Sequence, residues 1–135
     1  VPVLHYEYES QLDNIQPVKT LLDLGIKVHF EGSDGRNHPM KIIKYAVTRT
    51  DDNGKVIGPD QAIDRQTALR MVTSYGARFI DEEKNLGSLE PGKWADLVVL
   101  NGNYMDVADD KLDSLDIDLT YVAGKLEYDA SLMEN

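Results

Sequence analysis

Cysteine is missing from all 135 residues of this sequence, and so is any long uninterrupted run of apolar residues. The absence of cysteine excludes disulfide bonds and thiolate metal sites. No stretch approaches the roughly 18 consecutive apolar residues that a membrane-spanning helix needs, so a transmembrane protein is not expected. The sequence also lacks a phosphate-binding loop, the glycine pattern of dinucleotide-binding domains and the nucleophile elbow of serine hydrolases.

Basic residues are scarce in the C-terminal part of the chain. Residues 1–78 contain 10 acidic and 10 basic side chains, whereas residues 79–135 contain 14 acidic and 4 basic ones, so the net charge of −10 lies entirely in the second segment. A surface of that sign repels phosphate groups, so nucleic acid and anionic membranes are not expected as partners. The remaining composition, 41% hydrophobic and 28% charged residues, is that of an ordinary globular domain.

The first half of the chain alternates between helical and strand-like patterns. Residues 14–24 carry an apolar stripe at helical spacing and are followed by Gly25, a typical helix C-cap. Residues 26–31 alternate apolar and polar side chains, as a strand does, and an acidic turn follows at 32–35. This order predicts the αβ half of a βαβ unit, and therefore a parallel sheet.

Further elements are predicted downstream from the same kinds of pattern. They are helices at 39–48, 65–75 and 76–81, a turn at 51–54, a strand at 94–100, a helical turn at 109–115, and a hairpin of 119–123 and 125–128 around Gly124. Asp64 is the expected N-cap of the helix at 65–75, with Ile63 and Ala68 as its hydrophobic staple. The strand-like patterns begin where the charge changes, so we predict two domains, residues 1–84 and 85–135.

Asp34 is the first candidate for chemistry, because Gly32-Ser33-Asp34 directly follows the predicted strand at 26–31. In α/β folds the carboxyl ends of the strands line the active face, where a carboxylate can bind a metal or act as a general base. An aspartate in a Gly-Ser-Asp-Gly sequence also fits a simple turn former. The local pattern leaves both interpretations open.

The three histidines and a group of aspartates are the other candidates. No two of His5, His29 and His38 are two or four residues apart, so the sequence offers no local metal-binding pair. His29 is expected to pack within the strand and His38 to cap the helix at 39–48, while His5 and His38 also remain candidates for lining a cleft. The aspartates between 106 and 118 lack the ligand order of a calcium loop and predict a solvated face. They are Asp106, Asp109, Asp110, Asp113, Asp116 and Asp118.

The segment from Gly87 to Leu100, GSLEPGKWADLVVL, resembles the C-terminal signature of the amidohydrolase superfamily. Its glycines turn the chain and its apolar run supplies a buried strand, so the motif is structural rather than catalytic. Further matches occur in order at 21–28, 32–34, 46–49, 58–60 and 67–70. Together these residues, which lie within 15–128, resemble the amidohydrolase 3 family, a group of metal-dependent hydrolases that includes N-substituted formamide deformylases.

The resemblance implies an α/β fold, the C-terminal fragment of a (β/α)8 metal-dependent hydrolase barrel plus part of a small β-sandwich. Residues 1–84 would be the last strand and closing helices of the barrel, and residues 85–135 a β-rich segment of a composite β-sandwich. The His-x-His of a first strand is absent and a full barrel needs about 250 residues, so the chain is expected to be the last quarter or third of the enzyme. Glu31 departs from the family pattern and is expected to shift the register of Asp34.

The resemblance also implies an activity, hydrolysis of a non-peptide C–N bond in a small-molecule amide. By match to the family, Asp34 would be both a metal ligand and the catalytic residue that takes a proton from the attacking water and passes it to the leaving group. The cofactor would be a divalent metal, expected to be zinc, in the full-length enzyme. Since three protein ligands are typical of a catalytic zinc, no tight metal binding and no activity are expected of this chain alone.

The expected partners are therefore the remainder of the barrel enzyme and a small amide substrate. No signal-peptide pattern follows Val1, and the expected compartment is the cytoplasm. Two alternatives stay open: a non-catalytic α/β module that forms homo-oligomers, with Asp34 only a turn residue, or a fragment of another superfamily member, such as a deaminase or a cyclic amidase. A longer reading frame with an upstream His-x-His would favour an enzyme.

Overall fold

Within the described residues, the α-helices lie between residues 18 and 79 and the β-strands between residues 97 and 129. The computed structural model describes residues 16–30 and 38–133. The elements within them are α1 (Val18–Asp23), α2 (Pro39–Thr48), α3 (Arg65–Met71), α4 (Ser74–Phe79), β1 (Leu97–Leu100), β2 (Ile117–Val122) and β3 (Lys125–Asp129). Short 3-10 turns lie at Pro59–Gln61, Asp109–Ser114 and Ala130–Leu132.

Helix α2 has the bounds that its sequence predicts. Pro39 occupies the first turn, where its missing N–H costs nothing, and the Met40 N–H donates to Nδ1 of His38 (3.3 Å). The predicted capping role of His38 is therefore confirmed. Ile43 is fully buried on the apolar face of this helix, and the helix ends at Arg49, which adopts a left-handed conformation (φ 55°).

Helix α1 ends as predicted, but the strand expected after it is not formed within the described residues. Gly25 adopts φ 78° and its N–H donates to Leu22 O (2.9 Å), closing the helix. Residues 26–30 make no ladder with any residue of 16–30 or 38–133. A strand exists only with a hydrogen-bonded partner, so the alternating pattern fixes which side chains face the core without forming a sheet. Val28 and Phe30 pack against that core.

The helical pattern predicted at 65–75 is shorter in the structure, and the next helix starts earlier than predicted. Asp64 Oδ1 accepts the Thr67 N–H (2.8 Å), which confirms the predicted N-cap. Helix α3 ends at Met71, and α4 begins at Ser74 rather than at residue 76. Ala68 is fully buried, as a staple residue should be.

The sheet is antiparallel, in the order β1-β2-β3, and no parallel pairing is found in the part of the chain that the structure describes. The expectation of a parallel sheet is thus not met there, because residues 26–30 have no strand beside them. The hairpin is confirmed: Ala123 (φ 49°) and Gly124 (φ 78°) form the two-residue turn between β2 and β3. Two residues with positive φ match the right-handed twist of paired strands.

Strand β1 is shorter and more exposed than the sequence predicts. It begins at Leu97, not at residue 94, and the prediction of a buried strand is wrong: Val98 is 49% and Val99 40% exposed. The run of apolar side chains would be buried on both faces only if another layer covered this sheet, and no described residue does so.

The core combines residues from both halves of the sequence. Ile43 of α2 and Met71 of α3 are fully buried in one cluster with Leu112 and Leu115, which flank or belong to the 3-10 turn at Asp109–Ser114. That turn packs along α2. The division into domains between residues 84 and 85 stays a prediction. The helices and the acidic 3-10 turn share one hydrophobic core, so each contributes to the burial of the other.

Candidate functional site

The predicted catalytic residue, Asp34, lies outside the described residues, as does His5. The residues that flank this motif are described. On one side, the Phe30 N–H donates to Met71 O (3.3 Å), which fixes the end of segment 26–30 against α3. On the other side, His38 caps α2 and its Nε2 lies 3.5 Å from Asp116 Oδ1. Both flanks of the Asp34 motif are therefore anchored to the helical core.

An open groove of about 910 Å³ lies between α1, α2 and segment 26–30. We call it the α1–α2 groove. Its walls are both apolar and polar, and the apolar residues include Val18, Leu21, Val28, Phe30 and Ile42. Phe30 is the last described residue before the Gly32-Ser33-Asp34 sequence, so the segment that leads to the candidate catalytic residue lines this groove.

Charged side chains form the rim of the α1–α2 groove. Lys44 Nζ donates to Asp113 Oδ2 (2.8 Å), and this hydrogen bond lowers the pKa of Asp113. Asp51 lies in the turn at the groove edge, where the backbone N–H of Lys55 is the main cause that lowers the pKa of its carboxyl group. The groove edge thus carries the carboxylates of Asp51 and Asp113 and the ammonium group of Lys44.

His29 and Asp109 have structural partners. The His29 ring lies against Phe79 of α4, with ring centroids 4.0 Å apart, which fits the prediction that it packs. Asp109 pairs with Arg65, and Arg65 also donates to the carbonyls of Tyr104 and Val107 (both 2.8 Å). This ion pair and these two hydrogen bonds join residues about 40 positions apart, and the local sequence pattern carried no signal for them.

Tyr104 adds a hydrogen bond to those that Arg65 makes with the segment 104–107. Its hydroxyl donates to the backbone oxygen of Arg65 (2.6 Å), and burial raises its pKa to about 12. The phenol is therefore protonated at neutral pH and serves as a hydrogen-bond donor between α3 and the segment before the acidic turn. Its position identifies it as a structural residue.

The described residues offer no ready-made metal centre. Among residues 16–30 and 38–133, no three His, Asp or Glu side chains lie close enough to hold a metal ion. Within the same ranges, no helix is long and apolar enough to cross a membrane.

The segment 87–100 joins the helical part to the sheet. A Cβ added to Gly87 (φ 86°) would lie 2.7 Å from Ala77 Cβ and 2.8 Å from Ser74 Cα, so only glycine allows the chain to pass so close to α4. At the other end, Asp96 Oδ1 accepts the Ala123 N–H (2.6 Å) and so holds the β2–β3 turn.

Lys93 stabilises the loop between Gly87 and Asp96 by hydrogen bonds. Its Nζ donates to Glu83 O (2.8 Å) and to Ser88 Oγ (2.6 Å). The Ser88 hydroxyl in turn donates to Glu90 Oε1 (2.6 Å), a bond that lowers the pKa of Glu90. The glycines, lysine and aspartate of the signature all have structural roles, as the sequence predicts for this motif.

These features define an α/β fold in which the loop at 87–96 joins the helices to a small sheet. The amidohydrolase family matches residues 4–128, and the chain belongs to that family. It is 36% identical over 115 residues to an N-substituted formamide deformylase from Arthrobacter pascens, which covers 84% of this chain and 21% of that protein. It is also 36% identical over 93 residues to a 5-methylthioadenosine/S-adenosylhomocysteine deaminase from Teredinibacter turnerae, covering 67% of this chain and 21% of that protein.

A solved structure supports the fold. The amidohydrolase from Thermotoga maritima MSB8 superposes with a TM-score of 0.58 at 21% identity, over 87% of this chain and 26% of that one. The chain spans about a fifth of the length of the curated relatives it matches.

Proposed function

We propose that this chain is the C-terminal portion of a metal-dependent hydrolase that cleaves a non-peptide C–N bond in a small molecule. The observation that carries the proposal is the likeness to the formamide deformylase, which extends over 84% of this chain but only 21% of that relative. The deaminase relatives also support a C–N bond as the one that is cleaved. A deaminase activity is accordingly the second candidate, and a cyclic amidase is a further alternative.

The backbone hydrogen bonding of residues 26–30 supports the proposal that this segment is the last strand of a barrel. Among residues 16–30 and 38–133, the backbone N–H groups of Lys27, Val28 and His29 have no hydrogen-bond partner, although Val28 and His29 are half-buried. Backbone groups in such a position normally pair with neighbouring strands. In a closed barrel every strand has a neighbour on each side, so we propose that residues 26–30 are the last barrel strand and pair with strands of the longer enzyme.

The sheet supports a second contact with the rest of the enzyme. Val98 and Val99 of β1 and Leu126 and Tyr128 of β3 are all at least 39% exposed. A three-stranded sheet with apolar side chains on its surface is marginal by itself. We therefore propose that residues 85–135 form part of a composite β-sandwich that other strands of the enzyme complete, with residues 1–84 closing the barrel.

Asp34 is the proposed catalytic residue. In this role its carboxylate takes a proton from the attacking water and returns it to the departing nitrogen, which leaves as a neutral amine or ammonia. A divalent metal, which we propose is zinc with Asp34 among its ligands, would supply activation of the water in the longer enzyme. The described residues do not furnish a ligand set, so we assign the other ligands to the rest of that enzyme.

The proposed partners are the remainder of the enzyme and a small amide, and the proposed compartment is the cytoplasm. Nucleic acid and anionic membranes are disfavoured by the net charge of −10. A non-catalytic module remains the alternative from a different class, since the exposed apolar sheet would also favour association of two copies of the chain.

The proposal is tested with the polypeptide of the complete reading frame that contains this sequence. The purified protein is analysed for bound metal and assayed against N-substituted formamides, other amides and aminopurine nucleosides, with formate and ammonia measured separately. Formate release would support a deformylase and ammonia release from a nucleoside would support a deaminase. A protein that cleaves none of these with zinc supplied would contradict the proposal.

The 135-residue chain by itself is the matched control in the same assays. We expect no turnover and no stoichiometric zinc, because one carboxylate cannot hold a catalytic metal. Tight zinc binding by the isolated chain would contradict the assignment of the remaining ligands to the rest of the enzyme. Formation of a stable dimer in the absence of any activity of the longer protein would favour the non-catalytic module.

A further inference from the structure

His38 lies between the Asp34 motif and helix α2, because it follows Asp34 by four residues and is the N-cap of the helix. On the other side, Phe30 precedes Asp34 by four residues and is bonded to α3 through its backbone N–H. Four residues span at most about 14 Å. The position of Asp34 therefore depends on how firmly the chain is held at Phe30 and at His38.

Both nitrogens of the His38 ring are engaged. Nδ1 accepts the Met40 N–H (3.3 Å), so it carries no proton, and the proton of the neutral ring is on Nε2. Nε2 lies 3.5 Å from Asp116 Oδ1, and this carboxylate favours a proton at that nitrogen. A ring that is engaged at both nitrogens is suited to holding the chain rather than to moving a substrate proton.

Asp116 offers His38 a fixed partner, although its side chain is exposed. The Asp116 N–H donates to Asn101 Oδ1 (3.0 Å), and the Asp116 backbone oxygen accepts the Asn101 N–H (3.0 Å). Leu115, the preceding residue, is buried in the core. Asn101 directly follows β1 and Asp116 directly precedes β2, so the carboxylate stands at the end of the sheet. His38 thus connects the end of the Asp34 segment with the β-rich part of the chain.

We propose that His38 is a positioning residue for the proton transfer assigned to Asp34, an inference that rests on the proposed function. The His38 ring holds the C-terminal end of the segment that carries Asp34, through the cap on α2 and the contact with Asp116. A carboxylate that moves a proton must lie within hydrogen-bond reach of the water, and a displacement of about 1 Å can lower the rate about 100-fold.

The test measures kcat, KM and the urea midpoint of the complete enzyme and its variants. His38→Ala removes both the cap and the contact with Asp116, whereas His38→Asn keeps an oxygen that can cap the helix but is too short to replace the contact. Asp116→Ala removes the partner, and Asp116→Asn keeps an oxygen in the same place. The matched control is Asp64→Ala, which removes the N-cap of another helix, α3.

We expect His38→Ala to lower kcat roughly ten- to a hundredfold with little change in KM, because proton transfer is affected more than binding. His38→Asn and Asp116→Ala should each have a smaller effect, and together they should lower kcat no further than the larger single effect, since both remove one contact. Asp116→Asn should restore most of kcat.

The urea midpoint distinguishes positioning from a merely structural role. An ion pair between partly exposed groups adds little stability, so His38→Asn and Asp116→Ala should barely change the midpoint while they lower kcat. Asp64→Ala should lower the midpoint and leave kcat intact. A structural role for His38 would give the pattern of the control instead, with a lower midpoint and an unchanged kcat per folded enzyme.

The failure of this inference is distinguishable from failure of the proposed function. If the unsubstituted enzyme turns over and the His38 and Asp116 variants match its kcat, the positioning role is overturned and the proposed function stands. If the unsubstituted enzyme has no turnover with zinc supplied, both are contradicted. If His38→Ala does not fold, the comparison of Asp116→Ala with Asp116→Asn still decides, because neither change removes the cap.

Discussion

Replacement of Gly87 by alanine should destabilise the chain far more than the same change at Gly92. Both glycines have positive φ (86° and 94°), so each alanine incurs about 1–2 kcal/mol of backbone strain. At Gly87 the new methyl group would also lie 2.7 Å from Ala77 Cβ and 2.8 Å from Ser74 Cα, whereas at Gly92 it would meet nothing within 4 Å. Because the Ser74 atom is backbone, α4 would have to move, at a cost of about 1–3 kcal/mol.

We therefore expect Gly87→Ala to lower the free energy of unfolding by about 3 kcal/mol, and Gly92→Ala by about half as much. Urea titration of the complete enzyme, followed by circular dichroism, compares the two variants, and an unchanged urea dependence would show that the same transition is compared. Equal losses at the two positions would refute the reasoning, because the close approach of the signature loop to α4 would then have no energetic consequence.

Three further substitutions test individual side-chain hydrogen bonds by the same urea titration. Lys93→Met should lower the free energy of unfolding by about 1–3 kcal/mol, because it removes the donor for Glu83 O and Ser88 Oγ. The control Lys84→Met changes an exposed lysine and should have almost no effect. Equal effects of the two changes would contradict the role of Lys93 in holding the loop. Arg65→Met should cost at least as much as Lys93→Met, since it leaves two carbonyls and a carboxylate without their donor. Asp64→Ala should cost about 1 kcal/mol through loss of the α3 cap. The Thr67 hydroxyl lowers the pKa of Asp64 from its ordinary value, so this stabilisation is complete above the pKa of the unfolded chain and is lost as the pH falls through that of the folded chain. A difference between variant and parent that does not shrink as the pH falls would contradict this.

Local sequence signals predicted the elements that are stabilised locally. Pro39 and an apolar stripe defined α2, Asp64 defined the start of α3, and Gly124 defined the β2–β3 hairpin. Asp64 caps α3 through a bond to Thr67, three positions away, while the ring of Pro39 and the positive φ of Gly124 reflect the conformational preferences of those residues themselves. Such preferences depend little on the rest of the protein, so a short window of sequence contains the information.

The features that depend on distant residues could not be predicted in this way. Residues 26–30 have the pattern of a strand but no partner among residues 16–30 and 38–133, and the apolar β1 is exposed because no described residue covers it. The ion pairs of Lys44 with Asp113 and of Arg65 with Asp109 join positions far apart in sequence, and no local rule selects these aspartates from their neighbours. For Asp34, the resemblance to a family gave the only specific signal, and its role stays a prediction.

The most direct test of the central claim is the turnover of the complete enzyme carrying Asp34→Asn, compared with the same enzyme carrying Asp23→Asn. Asp23 lies on the exposed surface of α1, and its ion-pair partner among residues 16–30 and 38–133 is Lys19, so its change should leave turnover intact. If Asp34 moves the proton from water to the leaving nitrogen, its change should lower kcat by about 10²–10⁴-fold with the fold retained by circular dichroism. Turnover within a few fold of the Asp23→Asn enzyme would contradict the assignment of Asp34 as the catalytic residue.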